Sequence, residues 1–280
     1  MLKQRLKFMI SWSVEGLLRT RVGRFVCEVM LEDAMQRSVT VRHEKIEIKF
    51  AIPNPLLHWR ALTFSEKEPE TLRWIDSFGE EETVWDIGAN VGLYALYSAK
   101  ARQANVWAFE PSIFNLEVLG RNIAMNELAD KIKIMPIALS DCVGFSRMIH
   151  TSTQWGGALS TFGADYGADG EPLAALLGYD TFGMSIDDVV AHGFCPAPDH
   201  MKIDVDGIEH IILRGGQTVL RTVKSVLVEI NDDFGAQRKM AENILKKAGL
   251  ALQEKERSIY TDASGSVTPN VFNQIWKRKN

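Results

Sequence analysis

The residues best suited to chemistry fall into two groups, each where an apolar run gives way to glycine. The first is Asp86-Ile87-Gly88-Ala89-Asn90-Val91-Gly92, an acid followed by two glycines. Glycine lets a ligand approach the backbone, and a helix starting there offers N–H groups with no partner of their own. The spacing is D-x-G-x-x-x-G. A dinucleotide fingerprint needs glycine two positions after Gly88, where Asn90 stands instead. Glu110 ends the next apolar run, 24 residues after Asp86, and an acid there suits the paired hydroxyls of a ribose.

The second group is Asp204, Asp206 and Glu209, with Glu229 closing the following apolar run. Acids gathered at a ligand crevice are costly without a task. They can orient a ligand and substrate, accept a proton, or hold a divalent cation through oxygen. Asp204 ends its strand and is the first choice for a catalytic base, with Glu229 and His210 behind it. Asp206 stands where a residue would cap the next helix. None of the six histidines sits in a metal motif, so no resident metal is expected, and His58 reads as a surface or packing residue. Asn115, Asn122 and Asn126 read as helix-cap and turn residues.

These side chains need elements to position them. Short apolar runs alternate with helix-forming runs. Strands are expected at 83–86, 105–109, 131–139, 201–205 and 223–230, with helices at 112–125, 207–220 and 235–248 between them. A helix from Ser65, with Pro69 in its first turn, precedes the first strand. Residues 250–257 and 270–277 read as a hairpin around the polar loop 258–269. Such alternation specifies an open, largely parallel α/β sheet. Residues 142–184 break the rhythm and are expected to hold edge strands and a mobile loop, in which Trp155 could stack on a sugar face or fill core.

Residues 1–38 have helical spacing, and residues 39–52 alternate like a hairpin. Pro53-Asn54-Pro55 then marks the expected boundary between an extension (1–52) and the main domain (53–280). Through Arg24 the first segment carries six basic residues against one acid. The favoured reading is packing on the domain or on a second subunit of a homo-oligomer. The other is peripheral membrane contact through residues 1–24. Its apolar run is short and lacks a cleavage site, so it reads as retained rather than as a signal peptide.

The chain has 280 residues, 46% hydrophobic and 24% charged, with net charge −4. That is ordinary for a globular protein and gives no overall attraction to nucleic acid. Cys27, Cys142 and Cys195 are scattered and odd in number, which fits a reducing cytoplasm and core-filling thiols. No Gly-x-Ser-x-Gly elbow or P-loop lysine occurs, which sets aside hydrolase and NTPase readings.

The turn at Gly88 resembles motif I of the class I S-adenosylmethionine (SAM) methyltransferases. Glu68-Pro69-Glu70-Thr71, Trp85 to Gly92, Phe109-Glu110-Pro111, Ala138-Leu139-Ser140-Asp141 and Lys202 to Glu209 together resemble the FkbM family, over residues 60–277. The resemblance implies a Rossmann-like class I SAM-methyltransferase fold, with a mostly parallel seven-stranded sheet and a C-terminal antiparallel hairpin. It implies that Asp86, Gly88 and Gly92 form the SAM turn, with Asn90 near the methionine end. Glu110 would bind ribose, and Pro111 and the backbone around Ala138 would flank adenine. The activity implied is O-methylation of a hydroxyl on a sugar, glycan or small-molecule natural product. Where the family often has an apolar residue after the glutamate, this chain has His210, which leaves the identity of the base open. Two rivals remain. A SAM-binding module without turnover would lose the acids near the methyl group. A methyltransferase acting on nucleic acid or protein is the other, and a nucleic-acid enzyme would want a basic aromatic groove and an Asn/Asp-Pro-Pro-Tyr-like motif, absent here.

Overall fold

A computed structural model describes residues 2–257 and 270–279. Seven strands build the main sheet: β1 (Thr83–Ile87), β2 (Asn105–Phe109), β3 (Ile132–Met135), β4 (His200–Ile203), β5 (Ser225–Asn231), β6 (Leu250–Arg257) and β7 (Val271–Arg278). Their order is β3-β2-β1-β4-β5-β7-β6. Strands β1 to β5 pair in parallel, and β7 runs antiparallel to β5 and β6. This is the expected class I methyltransferase architecture, closed by the expected hairpin. The loop 258–269 lies outside the described residues.

The central strands β1 and β4 are largely apolar, with Asp86 and Lys202 as the charged exceptions, because both of their faces are covered. One core cluster joins Leu72, Leu96, Leu119 and Val106, and the other joins Met201, Ile212, Leu220 and Leu245. Between β1 and β4 the order of the sheet reverses direction, which opens a crevice above their C-terminal ends. Asp86 and Gly88 at the end of β1 face Asp204 at the end of β4 across it.

Three elements differ from the sequence reading. The strand expected at 131–139 divides at Pro136, which has no N–H for a ladder. Its second half, Ala138–Ser140, leaves the main sheet and pairs with Leu177–Ser185. Together with Gly144–His150 and Ser160–Phe162 they form a separate four-stranded sheet, so the unassigned middle supplies three of its strands. The helix expected at 207–220 is only Glu209–Arg214 (α3, below). A Cβ at Gly215 would stand 2.2 Å from the Ser140 carbonyl oxygen, and that close approach ends the helix against the second sheet.

The N-terminal helical run is two helices, Leu2–Leu18 and Arg21–Gln36, the second capped by Thr20, whose Oγ1 accepts from Gly23 N–H. It does not pack on the domain core: of residues 5–36 only Gly23 is buried. The following hairpin, Ser38–His43 with Ile46–Ala51, does, placing Ile48, Phe50 and Ala51 in the first core cluster. Asn122 of the helix Ile113–Met125 and Asn126 at its C-cap hold it there. Asn122 accepts from Ala51 N–H and donates to the Val91 carbonyl, and Asn126 bonds both backbone groups of Lys49. Asn122 docks one element on another where a cap or turn was expected, and Asn126 does so from the cap position. Of the three unpaired cysteines, Cys195 is buried, Cys27 half-buried and Cys142 exposed, so Cys142 is not core filler.

Candidate active site

Helix α1 (Leu93–Arg102) starts directly after the turn, α2 is Ile113–Met125, and α3 is Glu209–Arg214. Gly88 has φ +80°, and a Cβ there would lie 1.9 Å from the Asp204 carbonyl oxygen. Only glycine lets β1 and β4 meet this closely. Gly92, with φ +86°, would drive a Cβ to 2.5 Å from a Leu119 methyl. Between them Asn90 turns its N–H to Glu110 Oε2 at 2.7 Å, while Ser112 N–H donates to Oε1 at 2.8 Å. Glu110 is therefore fixed by the backbone. Burial pushes its pKa up to about 7 against those two bonds.

Two connected cavities open here. The first, with about 580 Å³ of space, is bounded by Gly88, Asn90, Glu110, Pro111 and Ala138 and by the apolar Phe109, Met148, Phe162 and Ile208. The second, about 930 Å³, is lined by Arg60, Lys67, Glu68, Asp86, Tyr94, Lys202, Asp204, Asp206 and Glu229. Gly88, Asn90, Ala158, Asp204 and Asp206 belong to both.

Charge is distributed unevenly between them. Lys202 sits opposite Asp86 in the β4–β1 register and donates to Asp204 Oδ2 at 2.6 Å. Burial alone would lower its pKa, but Asp204, Glu68 and Asp86 outweigh that and raise it. Glu68, also buried, is held down at about 2 by Lys67 and Lys202 despite its burial. Burial pushes Asp86 up to about 6 against the pull of Lys202. Burial, then Asp204 and Asp206, raises Glu229 well above the usual carboxylate range. Both Asp86 oxygens, Asn90 Oδ1 and the Tyr94 hydroxyl are buried without a hydrogen-bond partner among the described residues. Such groups are rare in folded proteins, and these three residues all line the second cavity.

Eight of the ten expected site residues line the cavities: Asp86, Gly88, Asn90, Glu110, Pro111, Ala138, Asp204 and Glu229. Gly92 and His210 line neither. Gly92 acts through its backbone at the start of α1. His210 is buried edge-on against Phe234, with ring centroids 5.7 Å apart, and burial lowers its pKa. Glu209 is also turned inward. Its carboxylate accepts from Val205 N–H, Gly207 N–H and the Gln237 amide, so it braces the turn that leads into α3. The N-cap of α3 is Ile208, with no side-chain cap bond, so Asp206 does not do the capping expected of it. Asp206 itself has φ +61° and turns away, accepting from Leu159 N–H at 2.7 Å.

That bond is one of several holding a strap, residues 155–160, across the crevice. Asn54 Nδ2 donates to the Trp155 carbonyl, and Arg60 Nε to that of Gly156. Asn115 accepts from Gly156 N–H, and both Asn90 and Asn115 donate to the Gly157 carbonyl. Trp155 packs half-buried against the first core cluster and lines neither cavity, so it does not offer its face to a sugar there. Arg60, Lys67, Glu68, Tyr94 and Lys202 were not singled out in the sequence. Lys202 carried the one usable signal, a charge inside an apolar strand.

Residues 86–249 match the methyltransferase FkbM domain. The chain belongs to the FkbM methyltransferase family. It is 26% identical over 196 residues to the hexuronic acid methyltransferase AglP of Haloferax volcanii, covering 70% of this chain and 74% of that one. It is also 26% identical to the 31-O-demethyl-FK506 methyltransferase FkbM of Streptomyces tacrolimicus, covering 55% of this chain and 67% of the relative. Among solved structures, M. jannaschii TYW2 in complex with AdoMet aligns over 86% of this chain and 87% of that one, at 12% identity and a TM-score of 0.44. As an FkbM-family member the chain is a methyltransferase, and the acid-lined crevice is where such chemistry would be housed. Among the described residues no helix is long and apolar enough to cross a membrane, and no cluster of three or more His, Cys, Asp or Glu could hold a metal ion.

Proposed function

We propose that this FkbM-family protein uses SAM to methylate a hydroxyl of a sugar, glycan or small-molecule natural product, with residues 53–280 as the methyltransferase domain and 1–52 as an extension. The observation that carries this is the buried carboxylate of Asp86, unpartnered on both oxygens, beside the glycine turn where the two cavities meet. A carboxylate in that state calls for a cation. The residues present fit SAM. Pro111, Ala138, Met148 and Phe162 form an apolar slot for adenine. Glu110 spends one acceptor position on each backbone N–H and keeps others for ribose hydroxyls. Asp86, Asn90 and Tyr94 supply unpartnered polar atoms for the methionine end.

SAM supplies a methyl group already activated on a sulfonium. The chain must hold an acceptor oxygen in line and take its proton. Asp204 borders both cavities and is the base, held in place by the Lys202 ammonium. Burial and the nearby Asp204 and Asp206 favour the protonated form of Glu229, which can donate a hydrogen bond to the acceptor or its neighbouring hydroxyl. A carboxylate-rich second cavity and a net charge of −4 disfavour a polyanionic acceptor such as nucleic acid. The relatives' names, one for a hexuronic acid and one for an FK506 precursor, accord with hydroxyl-bearing acceptors. Three unpaired cysteines accord with a cytoplasmic setting.

The test is methyl transfer from labelled SAM to fractionated sugar and glycan pools by wild type and Asp204→Asn. Asparagine keeps the shape but takes no proton, so transfer should fall by about 10²–10⁴ with SAM binding retained. Wild-type turnover by Asp204→Asn would remove Asp204 from the role of base.

A further inference from the structure

We infer that the N-terminal helical pair, Leu2–Leu18 and Arg21–Gln36, docks on the surface of a bilayer that carries anionic headgroups. The pair lies outside the stretch matched by the family, residues 86–249, and outside both cores. Its apolar side chains face solvent: Phe8 is 75% exposed, Trp12 73% and Phe25 65%, with Leu6, Met9, Ile10 and Val22 also bare. Isolated exposed apolar residues are unremarkable, but this many bare large side chains along two successive helices mark an interaction face.

Charge chooses the occupant. Lys3, Arg5, Lys7, Arg19, Arg21 and Arg24 stand against Glu15 alone, in a chain whose net charge is −4. A second copy of this chain would bring two such basic faces together and pay for their repulsion. An anionic bilayer instead attracts each cation and accepts the apolar residues at its acyl boundary. Lys and Arg stems reach past the apolar face toward headgroups, and the Trp12 indole suits the interface. No described helix can span the membrane, so the contact is peripheral. The acids Glu28, Glu32 and Asp33 fall in the middle and second half of the second helix, towards Met35, whose carbonyl accepts from Arg121 of the domain. The basic part is thus remote in sequence from the attachment to the domain.

The experiment is co-sedimentation of the full chain with vesicles of phosphatidylcholine alone and of phosphatidylcholine with phosphatidylglycerol. The wild type should pellet with the anionic vesicles, stay mostly in solution with the neutral ones, and be released by high salt. The triple variant Phe8→Ser, Trp12→Ser, Phe25→Ser and the charge variant Arg5→Gln, Lys7→Gln, Arg19→Gln, Arg21→Gln should each weaken binding about tenfold or more. Both leave the crevice untouched, so unchanged SAM binding by calorimetry shows that they fold. Salt release of the wild type is a readout that needs no variant. Equal partition with both vesicle types, or no pelleting with either, overturns the proposal. So does a self-associated species in sedimentation velocity that the triple variant abolishes, since the face would then belong to a second copy.

Discussion

The two cavities share Gly88, Asn90 and Asp204 yet are built in opposite ways. In the first, Glu110 is already bonded through both oxygens, Asp204 and Asp206 stand only at the border with the second, and the remaining walls are largely apolar. In the second, carboxylates crowd around Lys202, and Asp86 and Tyr94 have polar atoms with no partner among the described residues. On the proposed reading the first recognises shape and a pair of hydroxyls. The second stores unfavourable electrostatics that only a cationic or hydroxyl-bearing ligand relieves. A methyl-transfer site needs both: a rigid grip on the part that does not react, and unsatisfied charge where a positive centre is consumed.

The junction should be the most sensitive place. Gly88→Ala puts a Cβ against the Asp204 carbonyl at a positive φ, so it should cost about 3 kcal/mol or more. Urea denaturation measures this, and SAM binding should disappear with it. Stability within error of wild type would mean that β1 and β4 can separate there.

Glu110→Ala probes the first cavity alone. Loss of its acceptor positions should weaken SAM and S-adenosylhomocysteine alike, by about 1.5–3 kcal/mol. Unchanged affinity would take Glu110 away from the ribose. A loss confined to SAM would erase the contrast between the cavities, since the two ligands differ only at the sulfur.

A third prediction uses pH. Asp86 and Asp206 at about 6, and Glu110 and Glu209 at about 7, all lie above the ordinary carboxylate range. The folded chain therefore holds more protons than the unfolded chain between roughly pH 4 and 7. Stability should be greatest near its lower edge, because Glu68 and Glu82, held at about 2, lose their contribution at lower pH, and it should fall as pH rises through the window. Thermal melts of the ligand-free protein from pH 5 to 8 check the sign. SAM, by lowering the pKa values of the second cavity, should protect more at pH 8 than at pH 5.

The smallest effect is expected at the strap. Asp206→Ala leaves Leu159 N–H without its acceptor, which should cost about 1 kcal/mol. Affinity for SAM should change little, while KM for the acceptor should rise because the wall between the cavities loosens. A large loss of SAM affinity would show that the strap belongs to the cofactor half.

The glycine turn, Glu110 and the acids at Asp204 and Glu229 were legible because each sits at the end of an apolar strand, where type and position alone define the crevice. What escaped depended on contacts distant in sequence. Pro136 could be seen to weaken a strand, but not that Ala138–Ser140 would pair instead with Leu177–Ser185. Asp206 stood at a plausible cap position, yet its positive φ turned the carboxylate to the strap and left the turn to Glu209. His210 followed an acid of the crevice but lies on the side of α3 that packs against Phe234. The strap could not be foreseen, because its anchors come from four separate stretches of chain, Asn54 with Arg60, Asn90, Asn115 and Asp206.

Isothermal titration of the wild-type protein with SAM, S-adenosylhomocysteine and NAD tests the central claim most directly. The crevice should bind SAM and S-adenosylhomocysteine at one site and not NAD. SAM binding should also release protons, seen as a heat that changes with the ionisation enthalpy of the buffer, because a cation beside Asp86 drives its carboxyl to ionise. Binding of NAD with no binding of SAM would contradict the account.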